Sequence, residues 1–217
     1  MSAASRTSRM STVSAATSVV SSMSLLEQMR KSLKHQYGTT VAAWRLAMDP
    51  KMQGTVSFGK FCLVLGDCLF SGNAKGVWHQ LCGETGCVTF ADVDPDASAA
   101  LGDFRERLIS HHGGICEAFR QAFDQCDQGR VTDGDFVTMC LDFGFTQKQG
   151  KALFSMLCTR HGQKNIGLTD FRVLLIGVPP RRCAAVWAGD VPPSQGAEGP
   201  AAEEETQEQE QEQEEEE

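Results

Sequence analysis

Four aspartates, Asp124, Asp127, Asp133 and Asp135, fall in the stretch AFRQAFDQCDQGRVTDGDF (118–136), around a glycine at 129. Carboxylate oxygens on a tight polar turn are donors of the kind that hard divalent cations prefer. Other residues able to do chemistry are sparse. His79, Cys82 and Cys87 are zinc-type donors, but no fourth ligand stands at a standard zinc spacing, and Cys82 follows an apolar helix position. His111 and His112 precede Gly113-Gly114 and read as helix-end residues. No nucleophile–base pair, phosphate loop or paired catalytic carboxylates occur, so the chain is not expected to be an enzyme. Basic residues are scattered without interleaved aromatics, which argues against nucleic-acid binding.

Apolar spacing on either side places the aspartates. Ile115, Phe119, Ala122 and Phe123 recur at helical spacing up to Asp124, Val131 stands alone among polar residues, and Phe136 opens a second apolar run. Asp124 to Asp135 spans twelve residues inclusively, with Gly129 sixth and Val131 eighth. This stretch resembles an EF-hand, the helix–loop–helix calcium module whose loop supplies oxygens from set positions. The resemblance implies Asp124, Cys126, Gln128, Arg130 (through its carbonyl) and Asp135 as ligands. The departures weaken the site. Cys126 is a soft donor, Gln128 is neutral, and Asp135 is one methylene shorter than the usual bidentate Glu. Weak calcium binding, or comparable magnesium binding, is the most that residues 124–135 imply.

Three further stretches share the pattern. DPKMQGTVSFGK (49–60) has Gly54 sixth and Val56 eighth, but Lys51 and Lys60 hold the third and twelfth places, where their charges repel a cation. CGETGCVTFAD (82–92) lacks one residue, and CTRHGQKNIGLTD (158–170) has one extra and carries Arg160, His161 and Lys164. None of these three is expected to bind metal. Met29, Leu33, Gly54, Val56, Phe61 and Phe70 are matched 75 positions later by Phe104, Leu108, Gly129, Val131, Phe136 and Phe145. A repeat of that register marks two copies of one supersecondary unit.

Across residues 39–177 the chain resembles the calmodulin-like EF-hand superfamily. The implied fold is all-α: two EF-hand pairs of helix–loop–helix repeats with short loop strands, an extra helix before each pair, and disordered termini. Val56 should face Val88, and Val131 should face Ile166. The expected divisions are a Ser/Ala-rich disordered arm (1–24), a first pair with its preceding helix (25–96), a second pair with its preceding helix (97–178), and a disordered tail (179–217). Thr39 or Thr40 is expected to cap the second helix, and Pro95 to interrupt the chain before a linking helix from Ala97 to His111. Trp187, with Val186 and Val191, reads as a tail residue or as a short docking patch.

Composition limits the remaining readings. The chain of 217 residues carries a formal charge of −8, yet its last twenty residues hold eleven Glu. Before Glu198 stand 17 acidic and 20 basic residues, and the four Glu among them (Glu27, Glu84, Glu106, Glu117) cannot close a calcium loop. Nine cysteines without a Cys-x-x-Cys pair suggest reduced, buried thiols and a cytoplasmic protein. Residues 1–24, acid-poor and bearing Arg6 and Arg9, also suit organelle import. No apolar run is long enough to span a membrane. Two functions stay open: a calcium-binding-type protein with mostly degenerate sites, and a calcium-independent interaction module that holds an amphipathic helix of an unknown partner protein. Phe119, Phe123, Phe136, Met139, Phe154 and Met156 serve either as closed core or as the lining of such a groove.

Overall fold

The computed structural model describes residues 23–83, 85–160 and 162–189. Helix α1 (Leu25–Tyr37) starts in a capping box, Ser24 accepting from the Glu27 N–H while the Glu27 carboxylate accepts from the Ser24 N–H. It stops at Gly38, whose φ of 85° few residues with a side chain adopt. Thr39 caps α2 (Thr40–Ala43), which runs directly into a π-helical turn, Trp44–Met48. The wider turn closes where the Asp49 N–H donates to the Trp44 carbonyl at 2.7 Å. Strand β1 (Thr55–Val56), helices α3 (Phe58–Asp67) and α4 (Ala74–Cys82), strand β2 (Val88–Thr89) and a four-residue helix, α5 (Phe90–Val93), complete the first half.

The second half repeats the order: α6 (Pro95–His112), α7 (Ile115–Ala118) with a π turn over Phe119–Phe123, β3 (Val131–Thr132), α8 (Asp133–Asp142), α9 (Gln147–Leu157), β4 (Asn165–Ile166) and a 3₁₀ helix over Asp170–Leu175. Strands β1 and β2 pair antiparallel with Val56 opposite Val88, and β3 and β4 pair with Val131 opposite Ile166, as their loop positions imply. The described chain is therefore mostly helical, with two small two-stranded sheets.

Three boundaries differ from expectation. Pro95 opens α6 instead of interrupting the chain, because a proline at the first helical position forfeits no hydrogen bond and Asp94 caps the helix by accepting from the Ala97 N–H. Ser24, assigned to the disordered arm, is the cap of α1. The ordered chain also does not end at residue 178. Helix α10 (Pro180–Ala188) follows, with Val186 buried and Trp187 half-buried beneath the Arg172 guanidinium. This settles Val186 and Trp187 as packed residues. The rest of the arm (1–22), the tail (190–217) and Val191 lie outside the described residues.

The extra helices α1 and α6 hold the core together. Met29 and Leu33 of α1 are fully buried, as are Phe104 and Leu108 of α6, and α1 packs on α3 and α4 as α6 packs on α9 and the 3₁₀ helix. The Phe104 ring lies 5.7–6.4 Å from the rings of Phe123, Phe136, Phe145 and Phe171, mostly edge to face. Each extra helix also supplies an arginine to the carbonyls that end a shortened exit helix. Arg30 donates to the Val93 carbonyl at 2.6 Å, and Arg105 to those of Leu174 and Ile176 at 3.0 and 3.1 Å.

The two halves share one continuous apolar core. Thr40 donates to Asp94 at 2.6 Å, and Arg45 reaches across to the carbonyls of Thr169 and Asp170. Phe119, Phe123, Phe136 and Phe154 are buried in that core, and Met139 and Met156 are half-buried against it. Phe104→Ala should lower unfolding free energy by about 3–5 kcal/mol, the range for emptying a well-packed aromatic site. Denaturant titration followed by circular dichroism measures it; a loss below about 1 kcal/mol would show that α6 is not integral to the core.

Candidate metal-binding loops

A twelve-residue loop turned on itself directs several backbone N–H groups inward, and each needs an acceptor. In the loop at 49–60 that acceptor is Asp49, one of two buried polar residues among those described. Its Oδ1 accepts from the Gln53 N–H at 2.8 Å and its Oδ2 from the Gly54 N–H at 2.7 Å. In the loop at 124–135, Asp124 accepts from the N–H groups of Gln128 and Gly129, both at 2.8 Å. The backbones also match, since Met52 and Gly54 have φ of 56° and 85°, Asp127 and Gly129 of 51° and 69°. The loop bearing two lysines and the loop bearing four aspartates thus have one shape, set by the first aspartate.

The implied ligands at 124–135 are not drawn into one cluster. Both oxygens of Asp124 face loop N–H groups, so an ion would have to share them. Asp135 turns to its own helix cap, its Oδ2 accepting from the Thr132 hydroxyl at 2.6 Å. Cys126, Gln128 and Arg130 are exposed. Among the described residues, no group of three or more His, Cys, Asp or Glu side chains is placed to hold a metal ion. The zinc-type donors share that result: Cys82 is buried and Cys87 half-buried. His111 and His112 lie at the end of α6, both rings against Phe143. The donor set at 124–135, two engaged carboxylates with a neutral amide and a soft thiol, fits calcium poorly.

The cap role of the loop-end aspartates and the role of Gln163 escaped the sequence reading. The twelfth-place aspartates of three loops bond back to the residue three places earlier: Asp92 to the N–H and hydroxyl of Thr89, Asp135 to the hydroxyl of Thr132, Asp170 to the Gly167 N–H. The Thr-x-x-Asp spacing in two of them was a visible helix-start signal. In the loop at 158–170 the Gln163 carboxamide takes the centre. Its oxygen accepts from the N–H groups of Thr159 and Arg160, both at 3.2 Å, while its nitrogen donates to the Asn165 carbonyl at 2.8 Å and to Asp170 at 3.0 Å. A neutral amide there receives N–H groups, as the first-position aspartates do in the loops at 49–60 and 124–135, and gives its own hydrogens to oxygens.

The thiols divide by environment. Burial pushes the Cys140 thiol up to about 12 and the Cys158 thiol to about 11, whereas Cys126 is exposed. No protein-family model matches the chain, and no curated protein matches it in sequence.

Two predictions follow from these bonds. Asp49→Ala should cost about 1–3 kcal/mol, since two loop N–H groups lose their charged acceptor, with equal loss in chelator and in calcium. Thermal melts in both buffers decide it; a loss seen in calcium alone would mark Asp49 as a ligand. Alkylation should label Cys126 first and Cys140 last. Because the folded Cys140 thiol lies above its ordinary 9.0, its contribution to stability is complete below pH 9 and is lost as pH rises toward about 12. A flat denaturation midpoint between pH 8 and the onset of alkaline unfolding would contradict that assignment.

Proposed function

We propose that the chain is a divergent member of the calmodulin-like EF-hand superfamily, with cation binding reduced to weak calcium or magnesium binding at residues 124–135. The observation carrying this reading is the matched loop geometry. Four loops are paired two by two through β1–β2 and β3–β4, and in the first and third an aspartate gathers the N–H groups before a positive-φ glycine. Asp124, Asp127, Asp133 and Asp135 concentrate negative charge in the third loop. Lysines oppose it in the first, and the Gln163 amide fills the fourth.

A specific observation bears on the other reading, an interaction module for an amphipathic helix. α1 and α6 are amphipathic helices of this chain, and their Met29, Leu33, Phe104 and Leu108 already occupy the apolar interior of each half. An external helix would have to displace them. In this reading the loops act as a fixed frame for resident helices, and opening depends little on calcium.

Calorimetric titration with calcium and with magnesium tests the primary reading. The expected calcium dissociation constant is on the order of 10⁻⁴ M or weaker, as for the weakest sites of this chemistry. Asp124→Ala and Asp135→Ala should each abolish the heat, and Asp49→Ala should leave it. Binding that survived Asp124→Ala and disappeared with Asp49→Ala would overturn the choice of loop. An apolar fluorescent dye should bind alike in chelator and in millimolar-range calcium; a large calcium-dependent rise would restore a sensor role.

A further inference from the structure

Arg30 of α1 and Arg105 of α6 stand 75 positions apart, and each donates to carbonyls that end an exit segment. Arg30 does so through Nε, whereas both bonds of Arg105 leave from Nη1. A guanidinium carries five N–H donors. Nε and Nη2 of Arg105 therefore keep three, and no acceptor among the described residues takes them. Nε and Nη2 present parallel hydrogens, the arrangement that grips two oxygens of one anion.

The helix itself supplies no such anion. Three residues before Arg30 stands Glu27, and the equivalent place before Arg105 is Gly102. A Cβ at Gly102 would meet only Arg105 Nη2, at 3.8 Å. Glu106 is adjacent in sequence and exposed, and neighbouring residues of a helix do not face each other. Desolvation is the main cause that lowers the affinity of Arg105 for a proton; Glu106 opposes that fall and Arg182 of α10 reinforces it, so a second guanidinium stands within range.

Arg105 lines a cleft of about 360 Å³ between the two halves, within the size range of small-molecule sites. Ser98, four residues before Gly102 on α6, lines it too, and Phe90, Ile176 and the Pro179-Pro180 pair form apolar walls. Among the described residues, no Asp or Glu lines it. Pro179 and Pro180 begin α10, which has neither a side-chain cap nor an acidic residue in its first turn. The positive end of that helix therefore stands at the rim.

We propose that this cleft binds a small organic anion, a carboxylate or phosphate group on an apolar body. Its oxygens accept from Nε and Nη2 of Arg105, and its body lies against Phe90 and Ile176. The site is separate from the loops and needs no metal ion.

Thermal melts of the full chain at fixed ionic strength test this. Benzoate and phenyl phosphate are the probes, and acetate and inorganic phosphate carry the same heads without the body. The expected result is a Tm rise of about 2–4 °C once a probe stands about fivefold above its Kd. Each aromatic probe should act at several-fold lower concentration than its bodiless counterpart, and the head with the stronger response names the ligand class. Gly102→Glu gives the second half the residue of the first and puts a carboxylate beside Nη2. It should keep or raise the Tm without probe and weaken the response roughly tenfold or more. Gly102→Ala should keep the response, and Arg105→Lys, which retains the charge without the paired donors, should weaken it. Absence of a shift with every probe overturns the proposal, as does a shift that neither Gly102→Glu nor Arg105→Lys reduces. Equal responses to benzoate and acetate, and to the two phosphates, overturn the role of the apolar walls.

Discussion

A tight loop cannot leave its inward N–H groups without acceptors, and in this protein that need is met from within the chain. Asp49 takes two such groups in a loop that carries two lysines, and Asp124 does the same in a loop rich in carboxylates. The same accounting explains the fourth loop, where no first-position aspartate exists and Gln163 supplies both acceptor and donors. Side chains of the loops thus frame the short strands, which pair antiparallel across each half.

The second consequence is that the apolar faces turned inward by the loops need a permanent cover. Two shortened exit segments, α5 and the 3₁₀ helix over Asp170–Leu175, are too brief to supply it. α1 and α6 do so, and Arg30 and Arg105 tie the shortened ends to them. The burial of Arg105 lowers the affinity of its guanidinium for a proton, chiefly by desolvation. Two carbonyl bonds, both donated by one guanidinium nitrogen, offset that desolvation.

Much of the frame was legible because apolar periodicity and glycine placement are set by local geometry. A threonine cap at 39 or 40 follows from spacing, and the strand partners of Val56 and Val131 from the resemblance that their loop positions carry. The loop interior was harder to read, since an aspartate at a ligand position and an aspartate at a cap position are the same letter. Asp135 belongs to both patterns, and its Thr132 bond decides how it sits. The role of Gln163 depended on four partners that no motif collects. α10 was missed because its Pro-Pro start and paired arginines look like a tail, while its single buried Val186 carries too little pattern to announce a helix. The π turns before Asp49 and Asp124 leave no sequence mark that distinguishes them from ordinary helix ends.

The junction of α7 with the end of α10 makes the two halves of the repeat non-interchangeable. Thr39 caps α2 with its hydroxyl, but the equivalent place in the second half is Gly114, which offers α7 no side-chain cap. A Cβ there would fall 2.5 Å from the backbone of Gly189, so the cap and the docked helix exclude each other. A threonine at 114 would gain α7 a cap and cost the chain the seat of α10, so the two halves cannot carry the same residue at this place. The asymmetry of the repeat is in this respect a steric requirement of its last helix.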